Sequence, residues 1–436
     1  MPPPAEADES VRERAGRPGR AAWALYDWAN SAFPTAIITF VFSAYFTKAI
    51  AETPERGTEL WGYAISLSAL AVAVLSPLLG AISDHAGPRK PWIFTFSIIC
   101  IILCFGLWHA APEARNILWV LVAVGVANLA FEMAAVFYNA MLPDIARPTH
   151  IGRLSGWAWG LGYFGGIACL VGILVLFVQP EVPAFGLSAD KDKLENVRAV
   201  GPFVGAWFAV FCLPMLFLTP DTPATGVGIR DAVRRGARTL AATIRNLRQY
   251  RDIARYLLAR MIYTDGLNTL FAFGGIYAAG TFGMETDEII KFGIALNVTA
   301  GIGAFAFAWI DDWIGPKRTI LISVWGLLAL SSAILLIEDK ALFWIVGPAL
   351  GLFVGPAQSA SRSMMARMAP ADMRAEMFGL YALSGKATAF LGPALLAWTT
   401  GYFMSQRAGM ATILLFFAAG IWLMRGVPDI RANKGH

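Results

Sequence analysis

The chain has 436 residues, 57% of them hydrophobic and 15% charged, with a formal charge of +5, where a soluble domain carries about 25% charged residues. That is too little charge to cover the two or three soluble domains this length would form. It excludes a secreted disulfide scaffold, a disordered chain and most soluble enzymes, and leaves an all-α polytopic membrane protein as the expected class.

A crossing helix needs about 20 mostly apolar residues. Such segments fall at 23–48, 60–83, 91–110, 117–142, 154–178 and 201–219, then at 256–281, 288–311, 318–337, 341–366, 376–403 and 408–425. The expected organisation is a cytoplasmic tail (1–22), a six-helix bundle (23–219), a polar linker (220–255), a second six-helix bundle (256–425) and a cytoplasmic tail (426–436). Residues 1–20 lack an apolar core and cleavage site of their own, so no signal peptide is expected. Cys100, Cys104, Cys169 and Cys212 lie inside apolar runs and read as small buried hydrophobes. His85, His109, His150 and His436 match no zinc spacing, and neither a metal nor a cofactor is expected.

Basic residues in the connections set the orientation. With both termini in the cytoplasm, the inside segments hold 25 Lys and Arg and the outside loops 9, and Lys386 is left inside a span. The positive charge is therefore a topology signal of a cell-membrane protein and not evidence for nucleic acid. In the linker, Val233, Ala237, Leu240, Ile244 and Leu247 recur at helical spacing among eight arginines. This pattern reads as an amphipathic helix on the anionic leaflet, with a solvated basic linker as the alternative.

The two halves repeat each other. Asp27-Trp28-Ala29-Asn30-Ser31-Ala32-Phe33 and Asp265-Gly266-Leu267-Asn268-Thr269-Leu270-Phe271 share D-x-x-N-[ST]-x-F. Asp84-His85-Ala86-Gly87-Pro88-Arg89-Lys90 and Asp312-Trp313-Ile314-Gly315-Pro316-Lys317-Arg318 share D-x-x-G-P-[KR]-[KR]. Two matched pairs in the same order argue for a parallel duplication of a six-helix unit. In the second motif a carboxylate at a helix end can accept hydrogen bonds from a neighbouring helix terminus, while the Gly-Pro turn lets the basic pair lie at the lipid surface.

With these repeats the chain resembles the major facilitator superfamily over nearly its whole length. Gly80, Asp84, Gly87, Arg89 and Lys90 fit that superfamily's G-x-x-x-D-x-x-G-x-[RK]-[RK] signature, with His85 and Pro88 where basic residues are commoner. The resemblance implies a gating latch at these positions and at Asp27, Asp312, Gly315, Lys317 and Arg318, and a single working chain. Tyr26 to Phe33, Tyr138 to Asp144, Ser361-Arg362-Ser363 and Gly379 to Lys386 are similar to the vacuole-effluxer-like branch, which groups fungal autophagy-related amino-acid exporters with bacterial proteins. That branch implies amino-acid efflux.

Ionisable groups in hydrocarbon cost about 2.5 kcal/mol or more and are functional candidates by default. Asn128, Glu132 and Asn139 share one face of the fourth segment, with Glu132 near mid-span. Glu132 reads either as a proton or substrate-amine site or as a structural ion pair. Lys386, about ten residues into the eleventh segment, should face a cavity and pair with an acid or a substrate carboxylate. Gln358 and Arg362 share a face of the tenth segment, and Arg362 suits a gate or a bidentate carboxylate contact. Asp27 and Asp265 begin their segments and read as helix-start charges or as functional acids. Asn30 and Asn268 sit one turn deeper, and Tyr381 could shape the pocket. Glycines 152, 156 and 160, and Gly293, Asn297 and Gly301, favour close helix approach.

The chain has no phosphate loop and no hydrolase or zincin motif, so an enzyme is not expected. The expectation is a secondary transporter of a small polar metabolite, proton-coupled and working by alternating access. An exporter of lipophilic compounds or lipids, or a non-transporting sensor retaining the fold, are the alternatives.

Overall fold

The computed structural model describes residues 4–180, 184–186, 193–246 and 248–430. Their elements are α1 (Ser10–Ile50), α2 (Pro54–Ala86), α3 (Lys90–His109), α4 (Ala114–Ile145), α5 (Pro148–Val178) and α6 (Glu195–Leu218), then α7 (Ile229–Arg245) and α8 (Arg251–Phe282). There follow α9 (Thr286–Ile314), α10 (Pro316–Leu336), α11 (Lys340–Met368), α12 (Arg374–Ser384), α13 (Leu391–Phe403) and α14 (Gln406–Arg425). With α12 and α13 as two halves of one crossing and α7 as the connector, this is the twelve-helix, two-bundle architecture. Leu118, Phe217 and Ile345 are 74%, 78% and 71% exposed, a cost that lipid removes and water would not.

Local chemistry sets the irregular places. Gly16 takes φ 49°, and with Pro18 it kinks the start of α1. Residues expected to form a tail are helical from Ser10 onward, and Val11 and Ala15 are buried. Pro34, which lacks an N–H, opens the wide turns of Phe33–Phe40. The turn between α12 and α13 spans residues 385–390, and Pro393 cannot donate back to Ala389 to bridge it. Among the described residues, ten helices are long and apolar enough to cross a membrane by composition. The crossings outside those ten are α8, which is too polar, and the broken α12–α13, whose halves are short. Both carry charge at depth.

The first residues of α1, the end of α6, the start of α8 and the end of α14 share one face: Thr219 donates to the Gly19 carbonyl at 2.9 Å, and Arg255 to that of Gly426 at 2.6 Å. The linker helix α7 lies on this face. It buries the small residues Ala232, Gly236 and Thr243 and packs on α2, with Gly236 on Ile82 and Thr239 bonded to His85 Nε2 at 2.8 Å. The expected apolar stripe is not what packs on the protein, because Val233 and Ala237 are exposed. Leu247 and residues 431–436, including His436, lie outside the described residues.

Candidate functional site

The two bundles meet through side chains gathered at the linker-bearing face. Asp84, at the end of α2, accepts the backbone N–H of Ala375 (2.9 Å) and Glu376 (2.8 Å) at the first turn of α12. Asp312, at the end of α9, accepts the N–H of Gly152 (2.8 Å) and Arg153 (3.1 Å) where the α-helical part of α5 begins at Ile151. Each repeated aspartate thus caps a helix of the opposite bundle, where free amides and the positive end of the dipole favour a carboxylate. Gly80 lets α2 approach so closely that a Cβ there would collide with the Ala375 carbonyl, and at Gly156 it would collide with Ala308. Gly87 and Gly315 hold positive φ (101° and 92°), the conformation their turns need. Gly301 faces Phe164 across the same seam, whereas Gly293 touches nothing.

The basic residues of the motifs divide. Arg89 is not at the lipid surface: it is buried against Asp144, whose other oxygen takes Arg374 of the opposite bundle, and it stands 3.6 Å from Asp84. The Gly-Pro turn brings Arg89 inward because the backbone N–H of Arg89 and Lys90 are both fixed by Asp221, at 3.0 and 2.8 Å. Burial raises the Asp221 carboxyl above its ordinary range, against the pull of the Lys90 and Thr222 amides. Lys317 holds the carbonyls of Arg425 and Val427 (3.0 and 2.6 Å) and Arg318 pairs with Asp429 at 3.2 Å, so both serve their own bundle's tail. Across the seam from Arg153, Arg367 meets Asp312 at 3.1 Å and Asp311 at 3.6 Å.

One layer deeper lies Arg362 of α11, 2% exposed. It donates to Asp27 Oδ2 at 2.8 Å, Asn139 Oδ1 at 3.2 Å, Ser155 Oγ at 2.9 Å and the Ser155 carbonyl at 2.7 Å, joining α11 to α1, α4 and α5. Its guanidinium sits 5.1 Å from the Trp23 ring centre and 5.5 Å from that of Trp159. Gln358, one turn away, accepts from Tyr163 of α5 at 2.5 Å. Asn30 is buried in α1 near Asp27.

Deeper still, Lys386 Nζ stands 2.7 Å from Glu132 Oε1. Both side chains are half-buried, 30% and 21% exposed, so this ion pair between bundles borders open space. Lys386 reaches it from the turn that interrupts α12–α13. Other expected residues are elsewhere. Asn128 turns away from Glu132 to bond Ser68 within its own bundle at 2.9 Å, and Asn268 is exposed. Tyr381 lies under the Arg260 guanidinium, 3.5 Å from its ring centre. Neither Asp27 nor Asp265 begins a helix: Asp27 is inside α1 and Asp265 near the middle of α8, since both helices start well before their apolar stretches.

Arg260 lies inside the crossing segment 256–281 and is a group that no motif or spacing in the sequence singles out. It lies nine residues into α8 and donates to the Tyr381 carbonyl and Ser384 Oγ, both at 2.7 Å, a cation at the negative end of α12. Asp144 was also missed as the bridge between two arginines, although it closes the Tyr138–Asp144 run.

The packing differs at the two ends of the seam. Near the linker, α12 packs on α2 and α4, and the later half of α11 on α5. At the far end, α13 has α8 and α14 as its main neighbours, and the first half of α11 has α9 and α10. Two six-helix bundles tied at one end, with an ion pair between them, have the fold of the major facilitator superfamily. The structure is similar to that superfamily's FucP in the outward conformation (TM-score 0.78, 14% identity, 96% of this chain and 100% of that chain). It is also similar to the proton:xylose symporter XylE (TM-score 0.71, 12% identity, 98% of each chain).

In sequence, residues 58–435 match the family described as vacuole effluxer Atg22 like, and the chain belongs to that family. Among its relatives is the uncharacterized MFS-type transporter YxiO of Bacillus subtilis, 26% identical over 419 residues and covering 94% of both chains. Autophagy-related protein 22 of Coccidioides immitis is 22% identical over 432 residues, covering 81% of this chain and 69% of its own.

Proposed function

We propose that the protein is a proton-coupled secondary transporter that exports a small zwitterionic metabolite, of amino-acid chemistry, working as a single chain in the cell membrane. The observation that carries this reading is the half-buried Glu132–Lys386 pair, one member from each bundle. A zwitterion carries the partner each member needs: its ammonium for Glu132 and its carboxylate for Lys386. A lipophilic cargo offers neither member a partner and so gives the pair no reason to part. The vacuole-effluxer kinship supports the direction of transport.

The excess of basic residues supports a cytoplasmic linker-bearing face. The exposed arginines and apolar residues of α7 then meet the anionic leaflet. On this reading the gathered contacts are a closed cytoplasmic gate, Asp84, Asp312, Asp144 and Arg362 are its ties, and the structure is open outward.

The test is counterflow in proteoliposomes loaded with unlabelled amino acids and challenged with a labelled panel spanning acidic, basic, aliphatic and aromatic members. Exchange of one chemical group of the panel above protein-free liposomes is expected. No movement of any member in either direction rejects the amino-acid reading.

A further inference from the structure

Asp265 is a carboxyl without a partner. It lies near the middle of α8, is 1% exposed, and neither oxygen makes a hydrogen bond among the described residues. The polar group set against it is the Thr388 hydroxyl, close to it but not aligned for a hydrogen bond. Thr388 belongs to the turn that breaks α12–α13, two residues beyond Lys386.

The charged groups of the surrounding elements are committed elsewhere. Arg260, five residues earlier on α8, is held by Tyr381 and Ser384. Arg362 of α11 is held by Asp27, and α12 brings Arg374, held by Asp144, and Glu376 at its start. The charges of α14 (Arg407, Arg425) lie in its end turns, those of α9 (Glu288, Lys291, Asp311, Asp312) in its first two turns and its last, and α13 has none. Lys386 stands two residues from Thr388 on the same turn, and in this structure it serves Glu132 of the other bundle. A lone carboxylate in such surroundings is strongly disfavoured, whereas a neutral carboxyl or a paired anion is tolerated.

We propose that Asp265 is the second station of Lys386 and the group that takes up the coupling proton. With Asp265 protonated, Lys386 ties the bundles together through Glu132. When Asp265 releases its proton to the water bordering Lys386, the ammonium swings to the new carboxylate inside its own bundle. Glu132 is left as a free anion facing the opening seam, and one proton has left for one ion pair exchanged. This rests on the proton-coupled reading above and names the proton site within it.

The test is pulsed electron–electron distance measurement in nanodiscs, with spin labels at Thr149 and Ala371, exposed positions on either side of the linker-bearing face, and the four native cysteines replaced by alanine. Between pH 6 and pH 9 the wild type is expected to cross from a short to a long distance as the face opens. D265N should stay short at every pH, K386M should be pH-independent, and E132Q should cross at least about one pH unit lower, because Lys386 is then free for Asp265. A D265N or K386M protein that follows the wild-type crossover overturns the exchange. If D265N fails to fold, the E132Q shift decides alone, and an unmoved crossover overturns it. A wild type with no pH response removes the proton-coupled reading as well, so the two failures are distinguishable.

Discussion

Arg362→Gln is expected to open the linker-bearing face and abolish transport. Arg362 is the buried centre of four hydrogen bonds to three helices of the other bundle, and Asp27, with a side chain 13% exposed, depends on it for a counter-charge. Removing one partner of a buried pair costs about 3–5 kcal/mol, because the other is left as an uncompensated charge. That cost falls on the closed state alone, since opening hydrates Asp27. At about 1.4 kcal/mol per factor of ten, the equilibrium should move by about two orders of magnitude or more. The rate at which a membrane-impermeant maleimide modifies a cysteine placed at Ser359, 4% exposed on the same helix, reports the change directly. At least a tenfold rise is expected, reduced again when Asp27→Asn removes the stranded carboxylate. An unchanged rate would mean that Arg362 only packs.

Asp144→Ala should be the more damaging change to the fold itself. One carboxylate serves Arg89 within its own bundle and Arg374 from the other, and all three side chains are less than a tenth exposed. Its loss takes the shared carboxylate from two buried guanidiniums, with Asp84 at 3.6 Å left to Arg89, while Arg374→Gln leaves the carboxylate with Arg89. The expected result in a detergent thermal-unfolding series is a larger fall in midpoint for Asp144→Ala than for Arg374→Gln, with a cost of about 3–5 kcal/mol for the former. Asp144→Asn, which still accepts a hydrogen bond, should lie between. Equal midpoints for the alanine and glutamine variants would contradict the bridging role.

How far the sequence could be read follows the contrast between each residue and its surroundings. Glu132 and Lys386 stand out because each interrupts an apolar run, and Asp84 and Asp312 because the same turn occurs twice. Arg260 has no such contrast: it follows eight arginines of the linker and looks like another topology charge until α8 is seen to start at Arg251. Asp144 looks like an ordinary loop acid, since its two partners lie 55 and 230 residues away. The eleventh crossing reads as one segment, 376–403, and its break, beside Gly385, Gly392 and Pro393, is seen in the structure. Its consequence, a lysine presented from a turn beside a buried aspartate, depends on how α8 and α12–α13 are packed. Tyr381 was expected at the pocket as an aromatic in a motif, but its ring supports Arg260.

The claim on which the rest depends is that the Glu132–Lys386 pair links substrate movement to proton movement. The measurement that reaches it most directly is uphill accumulation in proteoliposomes under an imposed pH gradient, comparing wild type with Glu132→Gln for whichever panel member exchanges. Accumulation above equilibrium in the wild type, and none with Glu132→Gln, is the predicted result. Glu132→Gln protein that accumulates solute to the wild-type level, with the wild-type pH dependence, would contradict it.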